Sequence, residues 1–138
     1  FSETKGAVQS SVYLISSALK SYNFKKADSL LNNIKDFMSR IDDPLILSYF
    51  YKIKGDISVN RNLNNDAIEN YKLAKKHCTE KSLKAKYDID ISSILIKMNK
   101  KDEAIKVIDE LLLIDDLNFN DKNKAEELLA IAKIKVES

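Results

Sequence analysis

Three alanines stand at the same point of a recurring helical pattern, and their spacing limits what this chain can fold into. Phe24-Lys25-Lys26-Ala27, Asn64-Asn65-Asp66-Ala67 and Lys100-Lys101-Asp102-Glu103-Ala104 place them 40 and 37 residues apart. Self-similarity at that period, in segments that all read as helix, points to stacked helix hairpins rather than to a closed enzyme fold. Two glycines and one proline in 138 residues agree with long helices and leave little material for a turn-rich β fold.

The apolar positions mark seven helices. Val8, Val12, Ile15 and Leu19 recur at three- to four-residue steps and predict a first helix over 5–22. Asn23 reads as a break and as an N-cap for a second helix carrying Ala27, Leu30, Leu31, Ile34, Phe37, Met38 and Ile41. Asp42-Asp43-Pro44 is the clearest punctuation, because a carboxylate ahead of a proline caps a helix whose first residue needs no N–H donor. A third helix follows over 44–59, and a polar connector, Asn60 to Asn65, leads to a fourth with Ala67, Ile68, Tyr71 and Ala74. Thr79 caps a fifth, with Leu83, Tyr87, Ile91, Ile94, Leu95 and Met98. Asn99-Lys100-Lys101 is a tight turn into a sixth, with Ala104, Ile105, Val107, Ile108, Leu111 and Leu112. A loop over 115–121 precedes the seventh, which is expected to end near Val136. No alternating run is long enough for a strand. The expected fold is all-α: hairpins over 5–41, 44–78 and 80–116, and a capping helix over 121–137, in a single repeat domain.

Charge and composition exclude several function classes. The formal charge is 23 minus 21, or +2, which gives no general attraction to nucleic acid or membrane. Lysines 72, 75, 76, 81, 84 and 86 concentrate around one connector, but arginines and stacking aromatics are lacking there, so a solvated face is the plain reading. Hydrophobic residues make up 44%, yet no apolar run approaches the roughly 20 residues of a membrane span. Cys78 is the only cysteine, so no internal disulfide forms and a reducing cytoplasm is expected. His77 beside Cys78 does not make a metal or nucleophile site, because adjacent helical residues diverge and no second His or Cys completes a shell. Phosphate-loop, Ser/His/Asp and calcium-loop patterns are absent, so neither an enzyme nor a cofactor is expected. The opening Ser2-Glu3-Thr4-Lys5 is too polar for a signal peptide, and Phe1 in place of an initiator methionine reads as a piece of a longer chain. Abundant Lys, Asn and Ile, with Arg40 and Arg61 the only arginines, suggest an AT-rich genome.

The hairpin pattern resembles the tetratricopeptide repeat, a helix–turn–helix unit of 34 residues. The second hairpin carries Tyr51, Gly55, Ala67, Tyr71 and Ala74 at signature positions. The third carries Ile91, Ser92, Leu95, Ala104, Ile108 and Leu111, and the first Leu14, Ala18, Ala27, Leu31 and Ile34. Lys54 stands where a leucine is usual, and Ile15 replaces the small residue of the first hairpin. The likeness covers about residues 8–116 and implies a right-handed superhelix of three hairpins plus the capping helix. Long, irregular repeats in a Lys/Asn/Ile-rich chain are also similar to the regulatory halves of peptide-pheromone receptors of Gram-positive bacteria, in which an effector domain lies elsewhere in the chain.

The resemblance implies a non-catalytic scaffold that binds a peptide or protein segment in a concave groove lined by the first helix of each hairpin. By register the groove positions are Gln9, Val12, Ser16 and Lys20, then Tyr49, Lys52, Asp56 and Asn60, then Lys86, Ile89, Ser93 and Lys97. Amide side chains and lysines at such spacing can meet peptide amides and carboxylates; otherwise these residues are simply solvated surface. Tyr49-Phe50-Tyr51 adds a constraint, since neighbours about 100° apart cannot share one buried face. Tyr51 fits the hairpin core and Phe50 the contact between hairpins. Tyr49 falls either toward the groove or against a neighbouring helix with its hydroxyl exposed. Some family members clamp acidic chaperone tails with a lysine and an asparagine. Lys52 fits one position, but Asp56 would repel a carboxylate at the other. The rival expectation is a homo-oligomerisation module that buries the end-helix residues Leu128, Leu129, Ile131 and Ile134 against another chain.

Overall fold

The computed structural model describes residues 5–134, apart from the side chains of Lys5, Val8 and Phe37. The apolar roles expected of Val8 and Phe37, and the extension of the last helix toward Val136, lie outside the described residues. Within them the secondary structure is entirely helical: α1 (Lys5–Lys20), α2 (Phe24–Met38), α3 (Pro44–Asn60), α4 (Asn64–His77), α5 (Lys81–Lys97), α6 (Lys101–Leu112) and α7 (Phe119–Lys133). The polar connector after α3 is shorter than expected, because Asn60, Asn64 and Asn65 are all helical and only Arg61 to Leu63 turn the chain. The cap of α5 is Glu80 and not Thr79, and its side chain makes no cap hydrogen bond. Asp43 caps α3 as expected, accepting from the amides of Leu45 at 3.0 Å and Ile46 at 3.3 Å, with Pro44 as the first helical residue.

The alanine spacing corresponds to one turn used three times. Tyr22, Asn62 and Asn99 are non-glycine residues with positive φ, at 58°, 58° and 61°, and each lies five residues before its alanine. Each turn makes the same pair of backbone bonds. The Tyr22 amide donates to the Leu19 carbonyl and Asn23 to Ala18; Asn62 donates to Val59 and Leu63 to Ser58; Asn99 donates to Ile96 and Lys100 to Leu95. These satisfy the last carbonyls of α1, α3 and α5. The amides of Ala27, Ala67 and Ala104 then donate to Asn23, Leu63 and Lys100, opening the next helix. All three alanines are fully buried. Asparagine visits this left-handed conformation readily, whereas tyrosine does so at a cost of about 1 kcal/mol or more.

The contacts divide the chain at His77/Cys78 into two compact units. In the N-terminal unit α1 packs on α2, both touch α3, and α3 packs most extensively on α4. Its core joins Ile15, Ala18, Ala27, Leu31, Ile34 and Met38 to Ile46, Phe50, Ile53 and Ile57. Polar bonds tie α3 to α4: Ser48 Oγ donates to the Ala74 carbonyl at 2.8 Å, and Tyr71 OH to Asp56 Oδ1 at 2.5 Å. Gly55 leaves room for the Tyr71 ring, since a Cβ there would lie 2.6 Å from Cε1 and 2.8 Å from Cδ1. In the C-terminal unit α5 packs on α6, α6 on α7 and α5 also on α7. Ala85, Ile89, Ile108, Leu111, Ala125 and Leu128 form one buried cluster there.

A candidate binding cleft in the N-terminal unit

The first helix carries a polar and aromatic stripe along one face. Gln9, Val12, Tyr13, Ser16, Ser17 and Lys20 follow three- to four-residue steps, so they fall on successive turns of one side of α1. The eleven steps from Gln9 to Lys20 rise about 16 Å. Facing this stripe are Leu45, Ile46 and Tyr49 from the first turns of α3, where the Asp43 cap and Pro44 fix the start of the helix. The two helices touch only lightly and enclose an open cleft of about 330 Å³ lined by these nine residues. Val12 and Ile46 are buried beneath it, whereas Tyr13 and Leu45 are 74% and 61% exposed and Tyr49 is 43% exposed. Among the described residues the lining carries one charge, the Lys20 ammonium, and no carboxylate.

The aromatic triplet on α3 splits three ways. Phe50 is buried in the core shared with α1 and α2. Tyr51 is half-buried against α4, its ring stacked on His77 at 5.6 Å. Tyr49 lines the cleft.

The structure brings together Gln9, Val12, Ser16, Lys20 and Tyr49 of the expected groove residues. It does not bring the others into the cleft. Lys52 pairs with Asp56 at 2.6 Å, and Asp56 also accepts the Tyr71 hydroxyl, so these two charges satisfy one another one turn further along α3. Asn60 is exposed at the last residue of α3, and Lys97 at the last residue of α5. Ser93 is half-buried on α5. Ile89 is a core residue and not an open contact, because α7 packs on α5 and covers that face. Lys86 reaches across to α7, 3.1 Å from Asp121 Oδ1. Asp121 is buried in the first turn of α7, where the helix N-terminus favours its charge.

Lys86→Ala leaves that carboxylate with the helix end alone, and is expected to lower stability by about 1 kcal/mol. Urea unfolding checks this, with Lys86→Arg expected to retain the wild-type midpoint.

Sequence reasoning missed Tyr13, Ser17, Leu45 and Ile46. Tyr13 and Ser17 each follow a residue that register had selected, and widening the stripe by one position per turn would have found them. Leu45 and Ile46 lie one turn before Tyr49 on α3. Other conspicuous groups have separate surroundings. The Cys78 thiol is buried and donates to the Glu80 carbonyl at 3.4 Å, while His77 stacks on Tyr51. Of the end-helix residues, Leu128 is in the core, Leu129 is packed against it, and Ile131 and Ile134 are exposed. Among the described residues no helix is long and apolar enough to cross a membrane.

No family model matches the chain, and neither the curated proteins nor the solved structures yield a match.

Proposed function

We propose that this chain is a non-catalytic binding module and that the α1/α3 cleft takes an extended peptide segment. The observation that carries this reading is the state of the lining groups. The Gln9 amide, the Ser16 and Ser17 hydroxyls, the Lys20 ammonium and the Tyr13 and Tyr49 phenols line an apolar floor, and their side chains make no hydrogen bond to the described residues. One turn away, Lys52, Asp56 and Tyr71 are bonded to one another. An extended peptide presents the amides and carbonyls that such groups meet, and a stripe of about 16 Å matches about five extended residues at about 3.3 Å each. A volume near 330 Å³ lies at the small end of ligand clefts.

The repeated turn, with α1 beside α3 and α5 beside α7, supports tetratricopeptide-like hairpins as the scaffold. On that reading the module is the regulatory or scaffolding part of a bacterial signalling protein, and its ligand surface belongs to the first helices.

A fluorescence-anisotropy screen of N-acetylated, C-amidated hexapeptides rich in Leu and Phe tests the proposal. Tyr49→Ala is expected to weaken the best binder about tenfold, as a central aromatic contact does. Its exposure predicts little change in the unfolding midpoint. Unchanged affinity, or a screen without a binder, overturns the reading.

A further inference from the structure

Tyr22 is the one tyrosine among the three left-handed turn residues, whose counterparts are Asn62 and Asn99. Its ring gains little burial in exchange for that conformation, being 81% exposed with only a tilted contact to Phe24 at 6.3 Å. An asparagine there would keep the same backbone bonds with less strain. A residue held in a costly conformation without packing to justify it points to a role outside the fold. Tyr22 stands two residues beyond Lys20, the cation at the end of the cleft stripe.

We propose that the α1–α2 turn extends the binding surface, with Tyr22 as an aromatic contact for the ligand and Lys20 as the contact for an acidic side chain. The occupant is an extended, apolar peptide segment bearing a glutamate or aspartate. Lys20 is the only charge among the described lining residues, and charge complementarity therefore selects a carboxylate. A ligand that reaches Tyr22 runs past Lys20 rather than ending at it, which favours a side-chain carboxylate over a chain terminus. This inference rests on the cleft reading above.

The test uses the same capped hexapeptides with one Glu at varied positions, each paired with its Gln analogue. For the wild type the best Glu peptide is expected to bind roughly threefold more tightly than its Gln partner at low salt, and Lys20→Gln removes the difference. A free-acid version of the Gln peptide that matches the Glu peptide would instead assign Lys20 to a chain terminus and overturn the side-chain assignment. Tyr22→Asn is expected to raise the unfolding midpoint and weaken binding about fivefold, while Tyr22→Phe keeps the affinity. A lower midpoint in Tyr22→Asn means the ring is kept for packing against Phe24 and overturns the inference. A higher midpoint with unchanged affinity overturns it too. Both outcomes leave the cleft reading intact if Tyr49→Ala still weakens the same peptide. A Tyr49→Ala variant that binds normally, or a series without a binder, removes both.

Discussion

Gly55→Ile is expected to lower stability by about 3 kcal/mol, and the loss should shrink to about 1 kcal/mol when Tyr71 is Leu. A Cβ at position 55 would meet the Tyr71 ring at 2.6 Å, and that ring is buried and held by its hydroxyl on Asp56, so it cannot swing aside freely. Helix propensity works the other way, since Gly is the poorest former after Pro. The clash therefore decides the sign. Sequence register explains why the pair should rescue. The two positions hold Ile15 and Leu31 in the first hairpin, Gly55 and Tyr71 in the second, and Ser92 and Ile108 in the third. Where the first helix carries a large residue the second carries an aliphatic one, and the bulky tyrosine stands opposite the glycine. Ile15 and Leu31 are both buried in one cluster, so the Ile/Leu combination is one this turn geometry already accommodates. Urea midpoints of wild type, both single variants and the double variant complete the cycle. Additivity within about 0.5 kcal/mol would remove the proposed size coupling.

The same registers show what could be read in the sequence. The seven helices, the Asp43-Pro44 cap and the equivalence of Ala27, Ala67 and Ala104 were legible because periodicity, capping and small-residue spacing are local signals. The left-handed turn was less legible. Asn62 and Asn99 suit it, but Tyr22 does not, so composition alone hides that the three turns are one. The lining of the α1/α3 cleft was partly legible. Register put Gln9, Val12, Ser16, Lys20 and Tyr49 among twelve groove positions on three hairpins, and these five line the α1/α3 cleft. It did not account for Lys52 and Asp56, four residues apart on α3, pairing with one another, nor for the Tyr71 hydroxyl reaching Asp56 from α4. Nor could it show that α7 folds back on α5, burying Ile89 and engaging Lys86 through Asp121. The Lys52–Asp56 pair is a local i,i+4 signal outside the hydrophobic period, whereas the Tyr71 and α7 contacts join elements distant in sequence, which that period does not encode.

Ala104→Leu is expected to cost about 3 kcal/mol, a shift of about 10 °C in the melting temperature. Alanine and leucine are both strong helix formers, so propensity contributes little and the change reports packing. The position tolerates no volume: Ala104 is fully buried, its amide is fixed to the Lys100 carbonyl at 3.1 Å, and the turn before it is closed by the Asn99 and Lys100 bonds. With the backbone pinned on that side, a larger side chain must displace neighbours in a close-packed interior. Ala130→Leu on the exposed face of α7 is the control, expected to stay within about 0.5 kcal/mol of wild type. Differential scanning calorimetry of both variants checks the claim. A melting temperature for Ala104→Leu within about 2 °C of wild type would show that the recurrent alanine is a tolerated residue and not a size limit set by the turn. Loss at Ala104 with none at Ala130 would instead tie the 40- and 37-residue spacing to a steric demand at the start of each hairpin's second helix.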